Sequence, residues 1–150
     1  MTRRFLKIAI FVVAMAALGE IAPEVYRELQ RKSPEVLYIQ VSDVDVHRRF
    51  AKPSSCGFFE FEIDREVRVE ARVLRVVRSD SHVRAGDVIE IGYSSINRCS
   101  SWSGPRSIPM LRKGDRVYAF LARRGRTATF EPAARGATFA EEATVGSQSR

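Results

Sequence analysis

Cysteine is scarce in this chain, and that scarcity excludes a good deal. Cys56 and Cys99 are the two cysteines among 150 residues, too few for a structural zinc site, which takes four ligands. The two histidines, His47 and His82, do not complete a finger or ribbon spacing with them, so neither a metal nor a cofactor is expected. Tryptophan occurs once, at Trp102. The apolar run from Ile8 to Leu18 is eleven residues long, short of the roughly 20 that a membrane-spanning helix needs. There is no Gly-x-Ser-x-Gly elbow and no internal repeat. No alternation of strands with long helical stretches points to a parallel sheet.

What is present begins with export. Arg3, Arg4 and Lys7 precede the apolar run, and Ala17-Leu18-Gly19 supplies small residues where a signal peptidase cuts. A basic leader, a short apolar run and a small-residue site are the three parts of a secretory signal peptide, here residues 1–19. The alternative is an uncleaved anchor formed by residues 5–19, its helix running on towards Tyr26. Either way the protein is expected outside the cytoplasm, in the periplasm or beyond the cell. In such an oxidising compartment an isolated pair, Cys56 and Cys99, reads as one disulfide.

The formal charge is +7, from 25 basic and 18 acidic residues, and removing the leader leaves +4. That surplus is spread over short pairs such as Arg48-Arg49 and Arg123-Arg124, not gathered into the stripe of a dedicated nucleic-acid binder. No specific nucleic-acid partner is therefore expected.

After the leader, residues 20–34 form a short helical lead-in. Pro23 suits a first helical turn, and Glu24, Arg31 and Lys32 complement the helix dipole. Val25 and Leu29 share one face, and Ser33-Pro34 ends the helix. Residues 35–140 form one domain in which the apolar period is two. Leu37, Ile39 and Val41 alternate with polar residues, and after a phase slip at Asp43 the strand continues through Val44 and Val46. Arg48 to Gly57 reads as a loop. Phe59, Phe61 and Ile63 alternate with Glu60, Glu62 and Asp64. Val67, Val69, Ala71 and Val73 alternate with Arg68, Glu70 and Arg72, and a break at Val73-Leu74 marks a β-bulge. Val88 to Tyr93 is a further strand. Ser94 to Pro109 is a polar loop. Val117 to Leu121 is apolar almost throughout, as in a strand buried on both sides, and Thr127 to Phe130 is a last short strand. Residues 141–150 lack apolar content and read as a disordered tail. The expected core comprises Leu37, Ile39, Val41, Val67, Val69, Val73, Ile89, Ile91, Val117, Phe120 and Leu121.

Five or six antiparallel strands with one short helix describe a mainly β fold, a small OB-type barrel. An immunoglobulin-like sandwich would want about seven strands. The order of elements, with Gly86-Asp87-Val88-Ile89-Glu90-Ile91-Gly92-Tyr93, the serine-rich loop holding Cys99, and Leu111-Arg112-Lys113-Gly114-Asp115-Arg116-Val117-Tyr118-Ala119-Phe120-Leu121, resembles the netrin-like module over about residues 35 to 132. That module is the OB barrel of the tissue inhibitors of metalloproteinases. The resemblance implies an OB barrel, with Cys99 in a loop where such modules often hold a bridge cysteine. Their inhibitory Cys-x-Cys wedge has no counterpart, since no cysteine precedes Cys56. Inhibition of proteases is thus a minor alternative.

No catalytic set emerges. Asp80-Ser81-His82 reads as a turn, because neighbours in sequence do not converge as a triad does. Glu60, Glu62, Asp64, Glu66 and Glu70 read as the wet face of a strand offset by Arg65, Arg68 and Arg72, not as a calcium site. Trp102 is either a stacking platform for a ligand or a lid packed on the barrel end. The candidate binding loop is therefore Arg98, Trp102 and Arg106. The expected function is a non-enzymatic, monomeric binding or interaction module for a protein or glycan partner, touching membrane only through an uncleaved leader. The alternative is a structural envelope-associated protein.

Thiol counting on the denatured, unreduced protein should find no free cysteine. Closing a loop of about 43 residues would contribute on the order of 4 kcal/mol, and two reactive thiols would rule the Cys56–Cys99 bridge out.

Overall fold

The computed structural model describes residues 22–53, 61–98, 104–125 and 127–141. Helix α1 (Pro23–Lys32) is followed by β1 (Glu35–Pro53), β2 (Phe61–Ser79), β3 (Val88–Asn97), β4 (Arg116–Arg123), β5 (Thr129–Pro132), a 3-10 turn (Arg135–Ala137) and β6 (Phe139–Ala140). The strands form one sheet in the order β1-β2-β3-β5-β4-β6, and an additional β1–β4 pairing closes a ring of five strands. All pairings are antiparallel except β3 with β5.

Alternation builds the interior. Leu37, Ile39 and Val41 of β1, Val67, Val69, Ala71 and Val73 of β2, Ile89, Ile91 and Tyr93 of β3, Val117, Ala119 and Leu121 of β4, and Phe130 of β5 form one buried cluster with Leu111. Every strand of the ring contributes to it. Bulges bend the long β1–β2 pair, with register shifts at Val36/Leu37, Tyr38/Ile39, Val41/Asp43 and Arg48/Phe50. The first two leave out Val77 and Leu74 of β2, the last two Ser42 and Arg49 of β1. The slips expected at Asp43 and Leu74 are both there.

All eleven expected core residues are buried, but Phe120 belongs elsewhere. It packs with Val36, Tyr118 and Ala134 in a second cluster, joined by Leu29 of α1 and by Tyr38. Strand β4 is indeed buried on both sides, with Ala119 and Leu121 in one cluster and Tyr118 and Phe120 in the other. The helix meets this second cluster through Leu29 and buries Tyr26, while Val25 stays 47% exposed. The helix therefore docks one position further round than the Val25–Leu29 face.

Two further expectations are corrected. Arg48 to Pro53 is not loop but the end of β1, paired with β2 as far as Pro53–Phe61. Its arginines, lysine and proline look like loop residues because this stretch is an edge: β4 pairs with β1 only from Glu35 to Gln40, and charge and proline are what free edges carry. The supposed separate strands from Phe59 and from Val67 are one strand, Phe61–Ser79. At its start the expected faces are reversed: Phe61 is 58% exposed and Glu62 only 4%. The latter lies 3.8 Å from the Arg98 guanidinium, so a cation offsets part of the cost of burying a carboxylate. The tail beyond residue 141 lies outside the described residues.

Leu37→Ala and Phe120→Ala test the two clusters separately. Each should cost roughly 3–5 kcal/mol in urea unfolding, because Leu37 is fully buried within the ring and Phe120 is 7% exposed beneath the helix. A Phe120→Ala variant as stable as the parent would mean that the helix does not cover β4 in solution.

Candidate functional site

Strand β3 runs from Val88 to Asn97 and pairs with β2 from Val88–Arg72 to Asn97–Ile63. On its other side it meets β5 at only two positions, Glu90–Thr129 and Ile91–Phe130. From Gly92 onward no strand lies on that side among the described residues. A groove of about 760 Å³ opens there. Its floor includes Glu90, Gly92 and Ser94. Arg49, Glu66 and Arg68 stand on one side, and Arg124, Thr127, Thr129 and Glu131 of the β4–β5 hairpin on the other.

Gly92 stands out because the fold does not require it. It is not among the positive-φ glycines, and a Cβ there would meet only Thr129 Cγ2, at 3.9 Å. Glycine inside a strand costs about 0.5–1 kcal/mol relative to alanine. An interior strand glycine often marks a place where another chain or ligand comes close. Its signal in the sequence is a glycine between Ile91 and Tyr93 in an alternating run.

Charges around the groove are mixed and partly paired. Arg49 Nη2 lies 2.8 Å from Glu66 Oε2, and Arg68 Nη2 lies 3.8 Å from Glu66 Oε1. The Arg49 guanidinium, hydrogen-bonded to it, holds the Glu66 carboxyl below the ordinary carboxylate range, with Arg68 and His47 adding to the effect. Directly across the strands Glu70 faces Glu90, an unfavourable like-charge pair. The Ser42 hydroxyl donates to the Glu70 carboxylate at 3.1 Å from the bulge in β1.

The far wall is fixed by side chains of β3. The Tyr93 hydroxyl donates to the Pro109 carbonyl at 3.2 Å and accepts the Leu111 N–H at 3.3 Å. Burial pushes the Tyr93 phenol above its ordinary pKa, against the lowering effect of the Leu111 N–H. The Ser95 hydroxyl donates to the Ile108 carbonyl at 2.9 Å. These bonds hold the segment before β4 against the end of β3.

Beyond this point lies a smaller cleft of about 220 Å³, lined by Ile96, Arg98, Pro105, Arg106 and Arg135 and sharing Ser94 and Ile108 with the groove. Arg98 and Arg106, two of the three expected binding-loop residues, are thus brought to one cleft. Arg135, missed in the sequence, joins them from a turn held at φ 50°. The Arg106 N–H donates to the Tyr26 hydroxyl at 3.0 Å, and Gln30 of α1 donates to the Ala137 carbonyl at 2.8 Å. Trp102, Cys56 and Cys99 lie outside the described residues.

The Asp80-Ser81-His82 stretch forms the turn after β2. The Ser81 hydroxyl and N–H both donate to Glu35 Oε1, at 2.6 and 2.9 Å, so this serine ties the turn to the start of β1. Among the described residues no group of three or more His, Cys, Asp or Glu is placed to hold a metal ion, and no helix is long and apolar enough to cross a membrane. Compared with family models, curated proteins and solved structures, the chain matches none.

Gly136 fixes the cleft's shape. A Cβ there would come within 2.6 Å of the Arg106 carbonyl oxygen, so Gly136→Ala must push the two segments apart. Overpacking of this kind costs about 1–3 kcal/mol, to be read as a lowered urea midpoint with unchanged slope. Unchanged stability would show that the 3-10 turn and the Arg106 segment move independently.

Proposed function

We propose that this chain is an exported binding module, without enzymatic activity, that takes its ligand in the groove along β3 on an OB-type barrel. The observation that carries the reading is a groove floored by a strand glycine that neither backbone conformation nor packing demands. The five-stranded ring, loosely joined where β3 meets β5, supports the OB-type assignment, since that barrel is five-stranded and partly open. The netrin-like resemblance belongs to the same proposal; the metalloproteinase-inhibiting wedge does not. The loop bearing Arg98 and Arg106 extends the binding surface at the groove's far end. The basic leader and short apolar run support export, with residues 1–19 removed from the mature protein. A protein or glycan of the envelope or extracellular space is the partner class.

Gly92→Val tests the groove. Valine suits a strand, so the melting temperature should hold, with Gly92→Ala as a milder control. The protein and each variant, immobilised in parallel, would be offered envelope extract, and retained species quantified by mass spectrometry. At least one species should fall tenfold or more on Gly92→Val. Identical retention by both folded proteins would overturn the groove as the binding site.

A further inference from the structure

We propose that the occupant of the groove is an extended polypeptide segment that adds to the open edge of β3 as a new strand. This rests on the reading of the groove as the binding site and names its ligand class.

The backbone of β3 is the first argument. In an antiparallel pair, alternate residues turn their N–H and C=O groups away from the partner strand. Along Gly92 to Asn97 those groups face away from β2, and no strand of the described residues takes them. A strand laid in the groove would complete the ladder, which is how exposed sheet edges capture peptides.

The edges of β1 and β3 are treated differently. Beyond Val41, no strand of the described residues lies on the β4 side of β1, and that edge carries Asp43, Asp45, Arg48, Arg49, Lys52 and Pro53, the residues that discourage strand addition. The β3 edge reads Gly92-Tyr93-Ser94-Ser95-Ile96-Asn97, without a charge or a proline. One edge is guarded and the other is left receptive.

Shape and charge narrow the occupant. The groove and the smaller cleft meet at Ser94 and Ile108, so one channel follows β3 from Glu90 to Arg98. The open edge itself runs from Gly92 to Asn97, roughly 17 Å at about 3.3 Å per residue, enough for about five or six extended residues. The channel is walled by the β4–β5 hairpin and by the segment around Ile108. Glu66, Glu90 and Glu131 line it beside Arg49, Arg68 and Arg124. Three carboxylates against three guanidiniums complement a peptide of both signs and give no net attraction for the uniform phosphate backbone of a nucleic acid. At the far end the exposed Arg135 favours an acidic residue or a carboxyl terminus.

A phage-displayed library of random linear 12-residue peptides, selected on the immobilised protein, supplies the probe. Selected peptides would be synthesised and titrated by fluorescence anisotropy. Strand addition predicts at least a tenfold loss of affinity on Gly92→Val at unchanged melting temperature. It also predicts a tenfold loss when alternate peptide amides are N-methylated while the intervening ones tolerate methylation, and slowed amide exchange confined to residues 92–97. Peptides indifferent to N-methylation, or bound equally by Gly92→Val, would overturn it. So would a library that yields no binder; if capture from envelope extract still depends on Gly92, the groove stands as the site and only the peptide assignment falls.

Discussion

Closure of the ring by β1 is the constraint on which the rest of this structure depends. Residues Glu35 to Gln40 pair with β2 on one side and with β4 on the other. At Val41 the second partnership ends in a clamp: the Val41 N–H donates to the Asp115 carbonyl, and the Gly114 N–H donates to the Val41 carbonyl, both at 2.9 Å. Gly114 holds φ 94°, a conformation glycine adopts without the steric penalty other residues meet. The bulge at Ser42 follows at once. Beyond it β1 is an edge, and the β1–β2 pair continues on its own.

Because β1 joins β4 so early, the opposite closure falls to β3 and β5, the single parallel contact of the sheet and only two residues long. A seam this short leaves most of β3 without a second strand beside it among the described residues, and the groove is the space that results. The segment before β4 does not fill it but is held alongside by Tyr93 and Ser95. Raising the pH through the ordinary tyrosine range works against this tether. The Tyr93 pKa is raised in the folded state, so its contribution to stability is complete below about 10 and is lost as the pH climbs towards the folded value.

The helix does a different job from the ring. It covers the outer face of β4 and joins parts distant in sequence: Tyr26 to Arg106, Gln30 to Ala137, and Ser33, through its carbonyl, to the Arg78 guanidinium. On the same outer face Arg75 lies over the rings of Tyr38 and Tyr118, 5.6 and 5.5 Å from their centroids. Cation–π contacts of this kind, with the hydrogen bond from Arg75 to the Tyr118 hydroxyl, let a charged strand residue finish an aromatic cluster. The turn and cleft near Arg106 thus inherit their geometry from a lead-in that is separate from the barrel strands in sequence.

Period-two alternation is enough to find the inward faces of the ring strands from Leu37 to Val41, Val67 to Val73 and Ile89 to Ile91 and the bulges at Asp43 and Leu74, because a strand has two faces and only one of them can be dry. Composition likewise announced that Val117 to Leu121 would be covered twice. Local pattern does not say what covers each side, so Phe120 reads as ring interior, whereas it packs beneath the helix. Nor could it distinguish a polar edge strand from a loop at Arg48 to Pro53, since both face water. Glu62 looked wet because its neighbours alternate; it is buried because the end of β3 brings Arg98 beside it. Arg98 and Arg106 are legible as loop cations, but Arg135 joins them only through a turn 29 residues beyond Arg106. The residues themselves determined a β-rich chain with an apolar face on each strand. Which edges close, which stays open, and hence where a groove exists at all, were decided by long-range pairing between strands far apart in sequence.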